Sequence, residues 1–412
     1  MSDNTKASLD ALFKYKVAKE VDNLIPSASI IQKMLGELTP ATKAGRKFLQ
    51  PVALTQENGV TYGDGTAFTY NDAIVAVYGE AQIDAAPIML RSRVSLSAAN
   101  TMLDDQATFI TQTKLRAGTM KESLSKIYEI ECLYGKSTVG VGVILSQTGS
   151  GLTRALVLSE ATFAAGIWGG KEGSLLECRN TAGTIQNPDA DIVLVSVNTD
   201  TRTLNVSGDD SDLTACGATD IIWFKGQYAN GFHGLFAQIE NTGTLFNIAA
   251  ATYQLFRGNV VAVSGALVMS KILRGLAKAV VRGGLSEDVV ALVSSEGYES
   301  LNSDLAALRM LDGSYNGAKG ENGVEGICYR YQGGKCKIVA HPFMMPGYAV
   351  AVPEKGVKKI GRVDINFGIG GSDYFEKLEN SAGYQLICQA EWSIFIEKPA
   401  RCVLFTTITN PA

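Results

Sequence analysis

The strongest periodic signal in the chain runs over 103–134. There Leu103, Ala107, Ile110, Ala117, Met120, Leu124, Ile127 and Tyr134 recur at steps of three, four and seven, with Thr113 and Glu131 filling the gaps. Asp104 and Asp105 fall in the first turn, where carboxylates suit the positive end of a helix dipole. The spacing predicts one helix, amphipathic along one side and about 50 Å long at ~1.5 Å per residue. That is long for a compact domain and better suited to backing a sheet or lying along a flat subunit.

The segments before this helix cannot bury themselves. Residues 1–55 read as an arm with two short helical patterns, Leu12-Phe13-Tyr15-Val17-Val21-Leu24 and Ile30-Ile31-Met34-Leu35-Leu38, broken at Ile25-Pro26-Ser27. Too few apolar residues are present for a core, so both are expected to dock on another surface. Lys43, Arg46 and Lys47 make the arm's end basic, which reads as a solvated turn in preference to a DNA contact. Residues 56–100 read as a long β-hairpin: 60–70 mixes β-formers with Gly63-Asp64-Gly65, 74–80 continues as strand, and 88–96 alternates after it. A two-stranded ribbon is marginal alone in water and needs a partner surface.

After the helix the pattern turns to strand. In 151–262 the alternation over 192–197, the polar turn Asn198-Thr199-Asp200-Thr201 and the run 203–206 predict a hairpin, central to a compact β subdomain; 221–224 adds a strand. Residues 263–365 switch to α/β. A helix over 266–281 carries Val268, Ile272, Leu276 and Ala279 on one face, 289–293 is a buried strand, and 295–311 is a second helix through Tyr298, Leu301, Leu305 and Leu308. A hairpin turning at Gly333-Gly334 and a strand over 348–352 follow. Residues 366–412 are expected to close the chain with two long strands, 384–395 and 401–408, meeting across Glu397-Lys398-Pro399-Ala400.

Composition narrows the function. With 412 residues, 46% hydrophobic, the chain can fill two or three cores. A net charge of -4 lacks the basic surplus of a protein that grips nucleic acid, so contact with DNA is expected to be weak, local and non-specific. The 43 glycines against 10 prolines imply turns and close backbone approaches more than disordered linkers. Seven scattered cysteines without a CxxC pair suit a reducing cytoplasm and exclude a zinc ribbon. Neither a signal peptide at MSDNTKASLDALFKYK nor a membrane-spanning run is present, so a soluble product without membrane contact is expected.

Catalytic chemistry is missing. Tyr134-Gly135-Lys136-Ser137-Thr138 resembles the end of a P-loop, but position 130, where the earlier glycine would fall, is Ile130, and the segment ends a helix instead of opening one. Gly368-Ile369-Gly370-Gly371 lacks a strand–helix context and reads as a loop. His233 and His341 have no local partners and read as packed structural residues; Gly208-Asp209-Asp210-Ser211-Asp212 lacks EF-hand spacing and reads as a β-turn. No catalytic residue, cofactor site or metal site is assigned.

The order of elements then carries the argument: arm, extended hairpin, long helix, β-rich segment, α/β domain, terminal strands. Phrases such as Thr61-Tyr62-Gly63-Asp64-Gly65, Asn241-Thr242-Gly243-Thr244, Ala291-Leu292-Val293-Ser294-Ser295-Glu296-Gly297-Tyr298 and Gly347-Tyr348-Ala349-Val350-Ala351-Val352-Pro353 accompany it. Over about 10–408 the chain resembles the major capsid proteins of tailed bacteriophages, which share the α+β Hong Kong 97 fold. The resemblance implies an N-terminal arm (1–55), an E-loop hairpin (56–100), a P-domain with its spine helix (101–150), an inserted β-rich subdomain (151–262), an A-domain (263–365) and C-terminal strands returning to the P-domain (366–412). It implies self-assembly as pentamers and hexamers into an icosahedral shell around double-stranded DNA, with Phe13, Tyr15, Tyr62, Phe68, Tyr70 and Tyr78 in intersubunit contacts. A portal, a separate scaffolding protein (the arm being short) and a cement or decoration protein would be partners, with assembly in the host cytoplasm and residence in the virion. An encapsulin-like nanocompartment shell is the alternative within the class; an enzyme or a β-rich adhesin lies outside it. In the family's cross-linking chemistry an E-loop lysine attacks a neighbour's asparagine, and here no lysine lies between Lys47 and Lys114.

Overall fold

The computed structural model describes residues 29–37, 47–63, 70–95, 106–304, 327–368, 375–377 and 383–410. The long helix is Gln106–Tyr134. It is not amphipathic throughout: Tyr128, Glu129, Ile130, Glu131, Cys132, Leu133 and Tyr134 are all buried, so its C-terminal turns are enclosed on every side. Tyr128 stacks on Trp392 with centroids 4.3 Å apart, and its hydroxyl donates to the Ala390 carbonyl at 2.6 Å. The Tyr134 hydroxyl donates to the Phe343 carbonyl and accepts from the Met345 amide, both at 2.8 Å. These hydrogen bonds satisfy both tyrosine hydroxyls where the helix end penetrates the junction between sheets.

One sheet lies along this helix. Ala86–Ser95 pairs antiparallel with Gly383–Ile396 over ten residues, and Gly383–Ile396 pairs antiparallel with Val357–Phe367 and Phe375–Lys377. Gly36–Glu37 adds a short parallel edge on Val357–Phe367. The strand expected at 88–96 therefore does not extend the hairpin. The ribbon is made instead by Phe48–Ala53 and Tyr78–Ile83, so it begins inside the segment read as arm. The two-residue step Asp84-Ala85 moves the chain from one sheet to the other, because Ile83 and Ala86 are each buried in a different core.

The β-rich segment is a closed six-stranded barrel: Ile221–Phe224, Gly142–Ser150, Thr153–Leu158, Thr203–Ser207, Ile192–Asn198 and Leu175–Arg179, which pairs back to the first. Ile192–Asn198 and Thr203–Ser207 form the expected hairpin. Asn198 shapes its turn, its Oδ1 accepting from the amides of Asp200 at 3.0 Å and Thr201 at 3.1 Å. Ile144, Leu156, Ile192, Leu194, Leu204 and Val206 are fully buried in the core this barrel shares with the helix end. The barrel occupies 142–224, where 151–262 was expected. Its first strand follows almost directly on the helix, and Asn259–Gly265 leaves for another sheet.

That sheet has six strands in the order Asn259–Gly265, Val403–Ile408, Ala349–Pro353, Val289–Val293, Gly334–Ala340, Ile327–Tyr331. Val289–Val293 and Ala349–Pro353 are buried throughout, which is why they read as unbroken apolar runs. Met269–Gly283 covers one face through Ile272, Leu276 and Ala279; a Cβ at Gly275 would lie 2.4 Å from the Phe405 ring, so glycine sets the close approach of helix to sheet. The second helix is Ser295–Asn302, N-capped by Ser294 Oγ; Leu305 and Leu308 lie outside the described residues. The two closing strands do not pair with each other. Gly383–Ile396 stays in the helix-backed sheet while Val403–Ile408 enters the six-stranded one, the chain crossing through the 3-10 turn Pro399–Arg401.

Candidate assembly surface

At its root the ribbon is anchored in a small core of Phe48, Ala81, Ile83, Ile248, Phe256, Ile360 and Phe395. Beyond Ala53 and Tyr78 the regular ladder stops, but the arms stay together. The Val77 carbonyl accepts from Leu54 N at 2.8 Å, the Val77 amide donates to Thr55 Oγ1 at 2.8 Å, Asn58 N donates to Ile74 O at 3.0 Å, and Asn71 N donates to Thr61 Oγ1 at 2.9 Å. A Cβ on Gly59 would sit 3.1 Å from the backbone of Asp72 and Ala73, so glycine lets the two arms touch there.

The apolar side chains of this extension face water. Val60, Ile74, Val75 and Val77 are exposed; Tyr62 is 94%, Tyr70 84% and Tyr78 72% exposed. A run of this size on one projecting element marks an interaction surface. Tyr62, Tyr70 and Tyr78 thus share the ribbon, while Phe13, Tyr15 and Phe68 lie outside the described residues. Sequence reading missed Ile74, Val75 and Val77 as surface residues: Ile-Val-Ala-Val-Tyr reads as a strand, and strand patterns usually mean burial. The surface is also acidic. From 48 to 90 there is no lysine or arginine, against Glu57, Asp64, Asp72, Glu80 and Asp84.

Behind the ribbon, a buried polar knot joins three parts of the chain. Glu129 Oε1 accepts from the Ile31 amide at 2.6 Å and Oε2 from the Gln32 amide at 3.3 Å, tying the short helix Ile30–Met34 to the long helix. His341 Nε2 lies 3.1 Å from Glu129 Oε1. The ring's Nδ1 accepts from Phe343 N at 3.1 Å, so Nε2 carries the proton and donates to Glu129. His341 is the packed histidine expected, holding the six-stranded sheet to the helix. His233 packs edge-on against Phe246 at 5.8 Å; burial and nearby Lys136 depress it to about 4. Lys136 follows the helix end in a left-handed conformation (φ 50°), so it terminates a helix as read. The acidic stretch expected to be a plain turn instead caps a short helix, Asp210–Ala215, with Asp209 accepting from Ser211 N. Among the described residues no group of three His, Cys, Asp or Glu is placed to hold a metal ion, and no helix is long and apolar enough to cross a membrane.

A projecting ribbon, a long helix backing a sheet, an α/β sheet domain and a late return strand together make the α+β fold of phage capsid proteins. The chain is similar over 99% of its length to the whole of a chain in the Cyanophage A-1(L) capsid asymmetric unit, with a TM-score of 0.57 and 9% identity. Against the capsid of the native GTA particle, 99% of this chain and 100% of that one superpose with a TM-score of 0.53 at 8% identity. A Mycobacterium phage Bobi structure is covered completely, as is this chain, with a TM-score of 0.50 at 10% identity. No protein-family model and no curated protein sequence matches the chain.

Proposed function

We propose that this chain is the major capsid protein of a tailed bacteriophage, a structural and not a catalytic protein. It assembles as pentamers and hexamers into an icosahedral shell around double-stranded DNA. The observation that carries this reading is the ribbon of 48–83: in a chain with the phage capsid fold, its outward apolar residues have no core of their own to enter. In Hong Kong 97 terms the ribbon is the E-loop, the long helix and its sheet are the P-domain, the six-stranded sheet with its helices is the A-domain, and the barrel of 142–224 is an inserted subdomain. Tyr62, Tyr70 and Tyr78, together with Phe13, Tyr15 and Phe68, would lie against neighbouring subunits, and total burial per subunit would be on the order of 5,000 Å². A separate scaffolding protein, a portal and a cement protein on the outer face complete the particle, which forms in the host cytoplasm. Contact with the packaged DNA would be weak and non-specific, a reading supported by the net charge of -4. Negative-stain imaging of the purified protein tests this: closed polyhedral shells are expected, and a dispersed monomer under all assembly conditions would end the reading.

A further inference from the structure

At the root of the ribbon lies a cavity of about 440 Å³, lined among others by Lys47, Asp84, Lys136, His233, Asn247 and Ser393. Its lining brings two ammonium groups against one carboxylate. Glu131, behind Lys136, does not restore the balance: burial raises its carboxyl to about 8, so it holds its proton at neutral pH. Lys136 forms no ion pair among the described residues. Ser393 lines the cavity, is 1% exposed, and its hydroxyl has no hydrogen-bond partner among the protein atoms. His233, neutral at this pH, adds a ring that can donate a hydrogen bond. The site suits a small carboxylate: a net positive lining with neutral donors around it.

We propose that this cavity receives an acidic side chain from the ribbon of a second copy of this chain. The inference rests on the shell reading and names the contact that joins one subunit to the next. Charge complementarity singles out the occupant, because the ribbon carries acids and no base from 48 to 90. Glu57 and Asp72 lie exposed on opposite arms of its outer half and have no cation beside them on the ribbon. The ribbon's own cross-arm hydrogen bonds hold 54–61 against 71–77, so these acids project away from the root that holds the cavity. The contact is heterologous, outer ribbon of one subunit on the root of the next, and repeated contacts of that kind close into rings when the rotation permits.

Charge reversal tests it. Purified full-length protein is assembled over a range of subunit concentrations, followed by light scattering and negative stain, with a thermal melt to verify each variant's fold. Lys136→Glu is expected to raise the concentration needed for assembly on the order of tenfold or more, since like charges meet where a pair formed before. Lys47→Glu, at an exposed position, is expected to act in the same direction. Combining Lys136→Glu with Glu57→Lys or with Asp72→Lys is expected to restore assembly in one of the two doubles. Wild-type shells alongside folded Lys136→Glu that assembles at the wild-type concentration, or failure of both doubles to rescue, would overturn the contact while leaving the shell reading intact. Absence of any wild-type assembly would remove both.

Discussion

The barrel and the ribbon are both built from β-formers, and they treat water in opposite ways. In the barrel every strand has two hydrogen-bonded neighbours, so no edge is left open, and Leu156, Leu194, Leu204 and Val206 point into a closed interior. Its exposed apolar residues are scattered: Leu145 and Val195 lie on separate strands and Leu152 in the turn between Gly142–Ser150 and Thr153–Leu158. The ribbon has only two strands, and Val60, Tyr62, Tyr70, Ile74, Val75, Val77 and Tyr78 on it are turned outward. The barrel realises its hydrophobic free energy within one chain. The ribbon holds the same kind of surface in reserve, which is sensible only if another surface covers it.

Substitution should separate the two, with the largest effect in the ribbon. Ile74→Asp combined with Val75→Asp is expected to leave the melting temperature of the unassembled subunit unchanged, because neither side chain is buried there, and to abolish shell formation by light scattering and imaging. Leu204→Ala in the barrel should do the reverse. It empties a fully buried site and should lower subunit stability by about 2–5 kcal/mol in denaturant titration, while particles still form at low temperature. A ribbon variant that melts early, or assembles normally, would break the contrast.

The same contrast explains what could be read from sequence. The hairpin of 192–207 was legible because local alternation and an Asn-led turn specify it without outside help. The helix of 269–283 was legible from its single apolar face. The partner of Ala86–Ser95 was not, because it lies nearly 300 residues later at Gly383–Ile396, and alternation says that a strand pairs but not with what. The crossing at Pro399–Arg401 failed for a similar reason: two strands with a short polar link look like a hairpin unless the burial of each strand is known. At the candidate surface, Tyr62, Tyr70 and Tyr78 were named, while Ile74 and Val75 were read only as part of a strand in the hairpin and not singled out as contacts. Glu129 gave no sequence signal at all, since a glutamate in a helix is ordinarily a solvated one.

A smaller, pH-dependent effect should appear on the buried side of the contrast. Glu131 has one carboxylate oxygen accepting from Gln227 Nε2 at 2.6 Å and the other without a partner, and burial raises it to about 8 against an ordinary 4.5. The folded chain therefore binds this proton more tightly than the unfolded chain. Its contribution is fully present below pH 4.5 and is lost progressively as pH rises through about 8. Subunit stability should fall across that window by up to a few kcal/mol. Glu131→Gln, which carries no charge, should flatten the slope in urea titrations run from pH 5 to 9. An unchanged slope would place the titrating group elsewhere.

The smallest expected effect is none, and it concerns how the ribbon is held once docked. If ribbon contacts were sealed covalently, an amine would have to sit on the projecting part to reach a neighbour's asparagine. The sequence offers no lysine between Lys47 and Lys114. Lys47 immediately precedes the first ribbon strand at its root, its ammonium donating to Gln82 Oε1 at 3.1 Å, at the opposite end from the exposed tyrosines. Arg91 and Arg93 belong to the strand Ala86–Ser95 of the helix-backed sheet and so are not on the ribbon; a guanidinium is in any case protonated and a poor nucleophile. Without such an amine, cohesion at the ribbon is expected to be non-covalent. Boiling particles in denaturant and reductant should release one band near 43.8 kDa. A ladder of covalent oligomers would show that an amine outside the ribbon performs the chemistry, and that the ribbon is not where neighbouring subunits are locked.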